Sequence, residues 1–299
     1  MAKQKVAIVT DASGDIPPDL EEKLNISIVP VIMNFEDKSY KSLGIEKGLT
    51  WDEFYKLAEK EVPKTAIASP GLFMKTFEKA LEIADSAIGI FISDKLSGVA
   101  NTAKMVAQQH MADKDISVYH AGVNSVGVGV VVVEAARLAA AGHSKEEICA
   151  KVENWISTNV YAGIINQLEN LVRTGRISKT KKFFANILKY KPVLGFEDDE
   201  IHVYGNIKAD DALILKQMKK FGKEALQKMS DDNNTLFIAH SRWPEAAEEL
   251  EAYLKTVNPK NKEIIIQETG VINAFYTGKK LLAYGYIGEF DPEWLLDTK

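Results

Sequence analysis

The residues of this sequence best suited to chemistry are small hydroxyls and glycines at the ends of apolar runs. "DKLSGVAN" (Asp94 to Asn101) sets Ser97 and Gly98 between the apolar "SAIGIFIS" and the helical pattern "TAKMVAQQHM". Two roles compete there. In one, Ser97 caps the helix and Gly98 relaxes the turn. In the other, the Ser97 hydroxyl and the amides of Gly98 and Val99 receive an anion, because the first N–H groups of a helix lack internal partners and carry partial positive charge. "TDASGDIPP" (10–18) puts Asp11, Ser13 and Gly14 after the first apolar run, where a doubly wound sheet places its ligands. The same residues also suit a loop that caps the next helix. In "PKTAIASPG" (63–71) Ser69 reads as a helix cap ahead of Pro70. Thr65 falls mid-loop between two helices with no such task, which makes it the better ligand candidate. In "LVRTGRISKTKK" (171–182) most cations read as a solvated helix face, but Arg176 sits in a Gly-bounded turn and suits a bidentate grip on carboxylate or phosphate.

Several chemistries are excluded. No G-x-G-x-x-G follows the first strand, and no G-x-x-x-x-G-K-[ST] occurs. No G-x-S-x-G elbow is present, and a serine hydrolase would need a histidine partner that the sequence does not place. The histidines, His110, His120, His143, His202 and His240, show no linear metal spacing, so no metal is expected. Cys149, the one cysteine, rules out an internal disulfide and a cysteine-built zinc site; its apolar helical position reads as core. A net charge of −5 argues against nucleic acid.

These groups need elements to hold them. A chain of 299 residues is long enough for two domains with their own cores. In the first half, apolar runs at 5–10, 26–35, 87–93 and 116–121 alternate with amphipathic helices, two of them opened by capping boxes at Thr50/Glu53 and Ser144/Glu147. That alternation predicts a doubly wound, mostly parallel sheet with helices on both faces. "VGVGVVVVEAARLAAAG" is interrupted by Glu134 and Arg137 and falls short of the roughly 20 residues of a membrane span; it reads as a buried helix. The N-terminus has no apolar core for a signal peptide, so a cytoplasmic protein is expected. The second half predicts a mixed α/β domain: a strand at "VYAGIINQ", a short helix at "LENLVRTG" and a helix over "KTKKFFANILKY". A hairpin turning near "EDDE" follows, then a long helix from "ADDALILK", strands at "NTLFIAH", "EIIIQET" and "LLAYGYI", and a helix at "PEAAEELEAYLKTV". The boundary is expected at Thr158, giving domains 1–158 and 159–299.

Six motifs, in order along the chain, resemble those of the DegV family: "IVTDASGDIPPDL", "VPKTAIASPG", "FISDKLSGVANTA", "NSVGVGVVVVEAA", "LENLVRTGRISK" and "ILKYKPVL". The resemblance implies two α/β domains with a long-chain fatty acid, about C16–C18, buried between them, its tail gaining about 0.8 kcal/mol per buried methylene. It implies a carrier rather than an enzyme, one that in some relatives presents the acid to a separate fatty-acid kinase. Ser97 and Thr65 are the carried-over residues for the carboxylate, with the Gly98 and Val99 amides beside them. Asp11, Ser13 and Ser125 are expected near the site, and Arg176 is expected to meet a phosphoryl group or a partner.

The sequence departs from the family at three places. Ala66 stands where a second hydroxyl is frequent. "GVINAFYTGKKLL" offers Phe275 and Tyr276 where many members carry a histidine, and Tyr276 is the candidate replacement donor. "GNIKADDAL" keeps only Lys208 where arginines are common. Two further functions stay open: a phosphotransfer or phosphate-binding enzyme, which would need a reactive histidine or clustered carboxylates beside Ser97, and a regulator that reads lipid as a signal.

Overall fold

The first strand shows why the sheet forms as it does. β1 (Gln4–Asp11) is buried without a break from Val6 to Asp11, as a continuous apolar run in a doubly covered parallel strand demands. This computed structural model describes residues 3–45, 47–177 and 190–296. After β1 come α1 (Pro18–Lys23), β2 (Ser27–Val29), β3 (Val31–Asn34), β4 (Ser39–Ser42), α2 (Trp51–Ala58) and β5 (Lys64–Ile67). The chain continues through α3 (Pro70–Ile83), β6 (Ala84–Phe91), α4 (Val99–Gln109), β7 (Ile116–His120), α5 (Val126–Ala140) and α6 (Lys145–Ile156). Next are β8 (Asn159–Ile164), α7 (Glu169–Arg173), β9 (Tyr190–Glu197), β10 (Glu200–Lys208) and α8 (Asp211–Lys228). The last elements are β11 (Thr235–His240), α9 (Pro244–Thr256), β12 (Glu263–Glu268), α10 (Val271–Thr277) and β13 (Leu282–Ile287).

Three sheets result. Strands β2-β1-β6-β7 form a parallel sheet in that order. Strands β10-β9-β8-β13-β11-β12 form a mixed sheet whose one parallel pair is β11 with β12. Strands β4-β3-β5 form a small antiparallel sheet. All strands of the mixed sheet begin at Asn159 or later, and those of the other two end before it.

α5 joins the two large sheets. Every residue from Val126 to Ala136 is buried, Glu134 included, so the helix must be covered on all sides. It packs on β1 and on β13, β11 and β8, inside one continuous core. The approach is close because glycines face it. A Cβ on Gly285 of β13 would lie 2.5 Å from the Val126 carbonyl.

Several expectations are corrected here. The run 26–35 is two strands, not one: Pro30 has no N–H for a ladder, and the chain breaks there, leaving β2 in the parallel sheet and β3 in the antiparallel one. Of the two capping boxes, Ser144/Glu147 is complete, whereas at Thr50 the hydroxyl accepts from the Glu53 N–H and no reciprocal bond forms among the described residues. Ser69 is the N-cap of α3 by backbone, with Pro70 at N1, but its side chain makes no cap bond. The helix expected over 179–190 lies outside the described residues, except that Tyr190 already belongs to β9. The hairpin turn is where "EDDE" predicted it, with Asp198 and Asp199 at φ 48° and 66°, the left-handed pair of a two-residue hairpin. No described helix is long and apolar enough to cross a membrane.

Candidate functional site

At the carboxyl end of β1 the Asp11 side chain is fully occupied. Its Oδ1 accepts from the Ser13 N–H at 2.9 Å and from the Ser13 hydroxyl, and its Oδ2 accepts from the Ile92 N–H at 3.0 Å. The carboxyl therefore ties the end of β1 to the end of β6. Burial raises its pKa, and the bonds from Ser13 and Ile92 oppose that rise. Asp15 makes a second buried hub. Its carboxylate accepts from the Gly270 N–H and from Asn273 Nδ2, each at 2.8 Å, and from the Ser125 hydroxyl. Ser125 precedes α5 at φ 52°, and its side chain is spent on Asp15.

Beside these hubs lies a cavity of about 630 Å³, within the usual size of a small-molecule site. Its polar lining includes Asp11, Ser13, Thr65, Ser97, Asn124 and Tyr276. Gly98, Val99, Asn273 and Arg176 also line it; Ser125 does not. The apolar wall comes from both large sheets and their connections, with Ile92, Leu96, Tyr161, Ile165, Leu194 and Phe196 among its residues. The cavity thus sits between the parallel sheet and the mixed sheet, polar where the first opens its carboxyl ends.

The Ser97 turn differs from the capping expectation. α4 starts at Val99 with Gly98 as N-cap, and no side chain caps it. Its first amides therefore have no side-chain cap. Gly98 has an ordinary φ of −74°, so relaxed backbone is not the reason for glycine. Space is: a Cβ there would lie 3.1 Å from Ile67 Cδ1. Gly98 lets β5 close over the helix start.

Thr65 is not in a loop. It is in β5, paired with Met33 of β3, and the sequence hid this because the partner strand is some thirty residues away. Its Oγ1 lies 2.9 Å from the Tyr276 hydroxyl. Tyr276 comes from α10, a seven-residue helix that sequence periodicity did not reveal. Asn273 on the same helix reaches the Ser13 carbonyl at 2.8 Å as well as Asp15. Arg176 follows Gly175, whose φ is 77°. Its Nε donates to the Leu96 carbonyl at 3.2 Å and its Nη1 to the Thr174 carbonyl at 2.7 Å, so the guanidinium braces the Ser97 turn from the other side of the cavity. Asn124 Nδ2 donates to Asn273 Oδ1 at 3.3 Å, while its own buried Oδ1 has no partner. Neither Asn124 nor Asn273 was singled out from the sequence.

A parallel sheet, a mixed sheet and a cavity of hydroxyls and helix amides between them define a two-sheet α/β protein with an internal cavity. The sequence model of the DegV family, described as "uncharacterised protein, DegV family", matches residues 5–289, and the chain belongs to that family. A DegV domain-containing protein of Caldanaerobacter subterraneus subsp. tengcongensis is 35% identical over 258 residues, 85% of this chain and 88% of that one. A solved DegV family protein from Thermus thermophilus, described by its fatty-acid binding, is 25% identical with a TM-score of 0.82, covering 95% of this chain and 100% of the other. A DegV family protein from Ruminococcus gnavus, solved with vaccenic acid, has the same fold at 21% identity and a TM-score of 0.79, over 95% and 99% of the two chains.

Proposed function

We propose that this protein binds a long-chain fatty acid in the cavity between its two large sheets and acts as a carrier, not a catalyst. The observation that carries the reading is the composition of that cavity: an apolar wall meeting Thr65, Ser97 and an uncapped helix start. A carboxylate leaving water needs donors, and two hydroxyls with the Gly98 and Val99 amides supply them without a salt bridge. An aliphatic tail of about C16–C18 gains about 0.8 kcal/mol for each methylene it buries against the wall. The fatty-acid binding of the Thermus relative supports the same ligand class. Thr158 is then the seam between a carboxylate-binding domain and a domain that covers the tail.

The phosphotransfer reading has less support. No histidine lines the cavity among the described residues, and Asp11 is already engaged by Ser13 and Ile92; the other lining carboxyl, Asp94, clusters with His120 and Asp199 at the cavity edge, and that cluster is what an enzyme reading would have to rest on. Presentation of the acid to a separate kinase is the finer form of the carrier reading. Under it, Arg176 holds the turn that a partner must reach.

The test is direct binding. A fluorescent long-chain acid should bind the wild type saturably, and the Ser97→Ala, Thr65→Ala double variant should bind it more weakly by roughly 1–3 kcal/mol, the cost of leaving a buried charged acceptor short of donors. Equal affinity of the two proteins would move the head group elsewhere. Turnover of ATP or a phosphoester by the purified protein alone would favour the enzyme reading.

A further inference from the structure

Three polar side chains outside the hydroxyl cluster converge at one edge of the cavity. Asp94 comes from the turn after β6, His120 from the end of β7, and Asp199 from the tip of the β9–β10 hairpin. One ligand atom from each lies within 4.8 Å of the others. The sequence cannot show this: the residues are far apart in the chain, and they meet because β6 and β7 pair with Phe91 opposite His120 while the hairpin folds across both.

We propose that Asp94, His120 and Asp199 form a binding site for a divalent cation of the zinc class, with water completing its shell. The ligand set carries the choice of ion. Two carboxylates and one imidazole suit a borderline transition metal, whereas Mg²⁺ and Ca²⁺ favour oxygen alone. Three protein ligands plus water is also the arrangement of open zinc sites. His120 Nδ1 is buried, lacks a hydrogen-bond partner and faces Asp199 Oδ2 at 3.9 Å. Among the described residues no lysine or arginine forms an ion pair with Asp94 or Asp199, so the acids are not already neutralised.

The backbone holds the cage in place. The Ser93 hydroxyl donates to the Asp199 carbonyl at 2.6 Å, fixing the hairpin tip to the residue before Asp94. Gly122, at φ 73°, leaves room for the Asp199 carboxyl; a Cβ there would sit 2.7 Å from Oδ1. Ligand atoms around a bound zinc lie about 3.3 Å apart, from bonds of about 2.0–2.1 Å. The side chains therefore draw in by about an ångström on binding, which the half-exposed Asp199 and the short Asp94 can do. A cation here ties the hairpin that carries Phe196 and Ile201, both lining the cavity, to the segment that carries Ser97. The site itself does not depend on what the cavity holds.

The experiment is titration of the metal-stripped protein with ZnCl₂ against a chromophoric chelator, and with CoCl₂ followed by its visible spectrum. One equivalent should bind. His120→Ala, which removes one of three ligands, and Asp199→Asn, which replaces an anionic carboxylate by a weaker neutral amide oxygen, should each weaken binding by roughly tenfold or more. Asp94→Asn should do the same, and it keeps the side-chain volume if either other variant folds poorly. Amide exchange across 195–203 should slow on adding Zn²⁺ to the wild type and not to Asp199→Asn. No stoichiometric binding by the wild type, or binding equally tight in all three variants, overturns the proposal. Either result leaves the fatty-acid reading intact, because that reading is tested by lipid affinity alone.

Discussion

The hydroxyl oxygens of Thr65 and Tyr276 lie 2.9 Å apart, joining the edge strand β5 to the short helix α10 across 211 positions of sequence. Either can donate to the other. Whichever accepts keeps its own proton free for a third group, and a carboxylate, which only accepts, is the natural third group. Under the proposed function the pair is a two-member donor relay at the cavity wall.

The relay sets the first prediction. Tyr276→Phe removes one hydroxyl while keeping the ring that packs on Phe275. Thr65 must then serve the ligand without a neighbour to orient it. Fatty-acid affinity should fall by about 0.5–1.5 kcal/mol, the net worth of one hydrogen bond, and the fold should hold. Titration with a fluorescent acid reads this directly; an unchanged affinity would place the carboxylate away from the pair.

The two ends of the relay differ in how much of them is legible in the sequence. Ser97 was legible because a strand handing over to a helix has a local signature, and the helix start is where that signature pointed. Thr65 was singled out for a reason the structure corrects. "KTAI" does not alternate and pairs with a strand about thirty residues away, so its strand character is decided by tertiary contact and not by its own pattern. α10 is seven residues between glycines, too short to show a helical period. Asp94, His120 and Asp199 have no linear spacing at all. The long elements, by contrast, were readable. α5 announced itself as a buried helix, and the Asp198–Asp199 turn as a hairpin, because in each the local chemistry and the tertiary position agree.

The second prediction concerns how closely α5 and β13 pack. A methyl on Gly285 would meet the Val126 carbonyl group at 2.5 Å and the Gly127 nitrogen at 2.9 Å, all backbone atoms that cannot rotate away. Gly285→Ala should destabilise by about 1–3 kcal/mol or more through overpacking. Urea unfolding should show a lower midpoint. Gly142→Ala, beyond the opposite end of α5, makes a contrast: a Cβ there meets nothing within 4 Å, but at φ 86° its cost comes from the backbone alone.

Arg176 carries the third. Its Nε and Nη1 are committed to the carbonyls of Leu96 and Thr174, so it positions the Ser97 turn while keeping its charge at the cavity wall. Arg176→Ala should lower fatty-acid affinity less than the Thr65, Ser97 double substitution does. It should lower acyl-phosphate formation more, if a cognate kinase must meet the turn. A loss of lipid binding as large as the double variant's, with the fold intact by circular dichroism, would make Arg176 a direct ligand of the head group.

The last prediction is a pH dependence of stability centred on Asp15. This carboxyl is buried, and burial pushes its pKa up to about 7 although Ser125, Gly270 and Asn273 all donate to it. An unfolded aspartate titrates near 3.9. Between about pH 4 and 7 the native chain therefore holds a proton that the unfolded chain has released, and stability falls as pH rises, by up to about 1.4 kcal/mol per unit. His240 acts in the opposite sense. Burial lowers its pKa to about 4, so below its unfolded value near 6.5 the unfolded chain binds the extra proton and stability rises with pH. The two overlap over most of the range and partly cancel in the wild type. Asp15→Asn separates them: it keeps the shape, removes one titration and forfeits an acceptor for Gly270 or Asn273. Urea unfolding of both proteins at pH 5, 6, 7 and 8 gives a stability difference between wild type and variant. That difference should shrink steadily as pH rises from 5 to 7 and then level off. A difference that stays constant across the range would mean that Asp15 ionises at its ordinary pKa, and that α10 is held to the start of α5 by a carboxylate throughout.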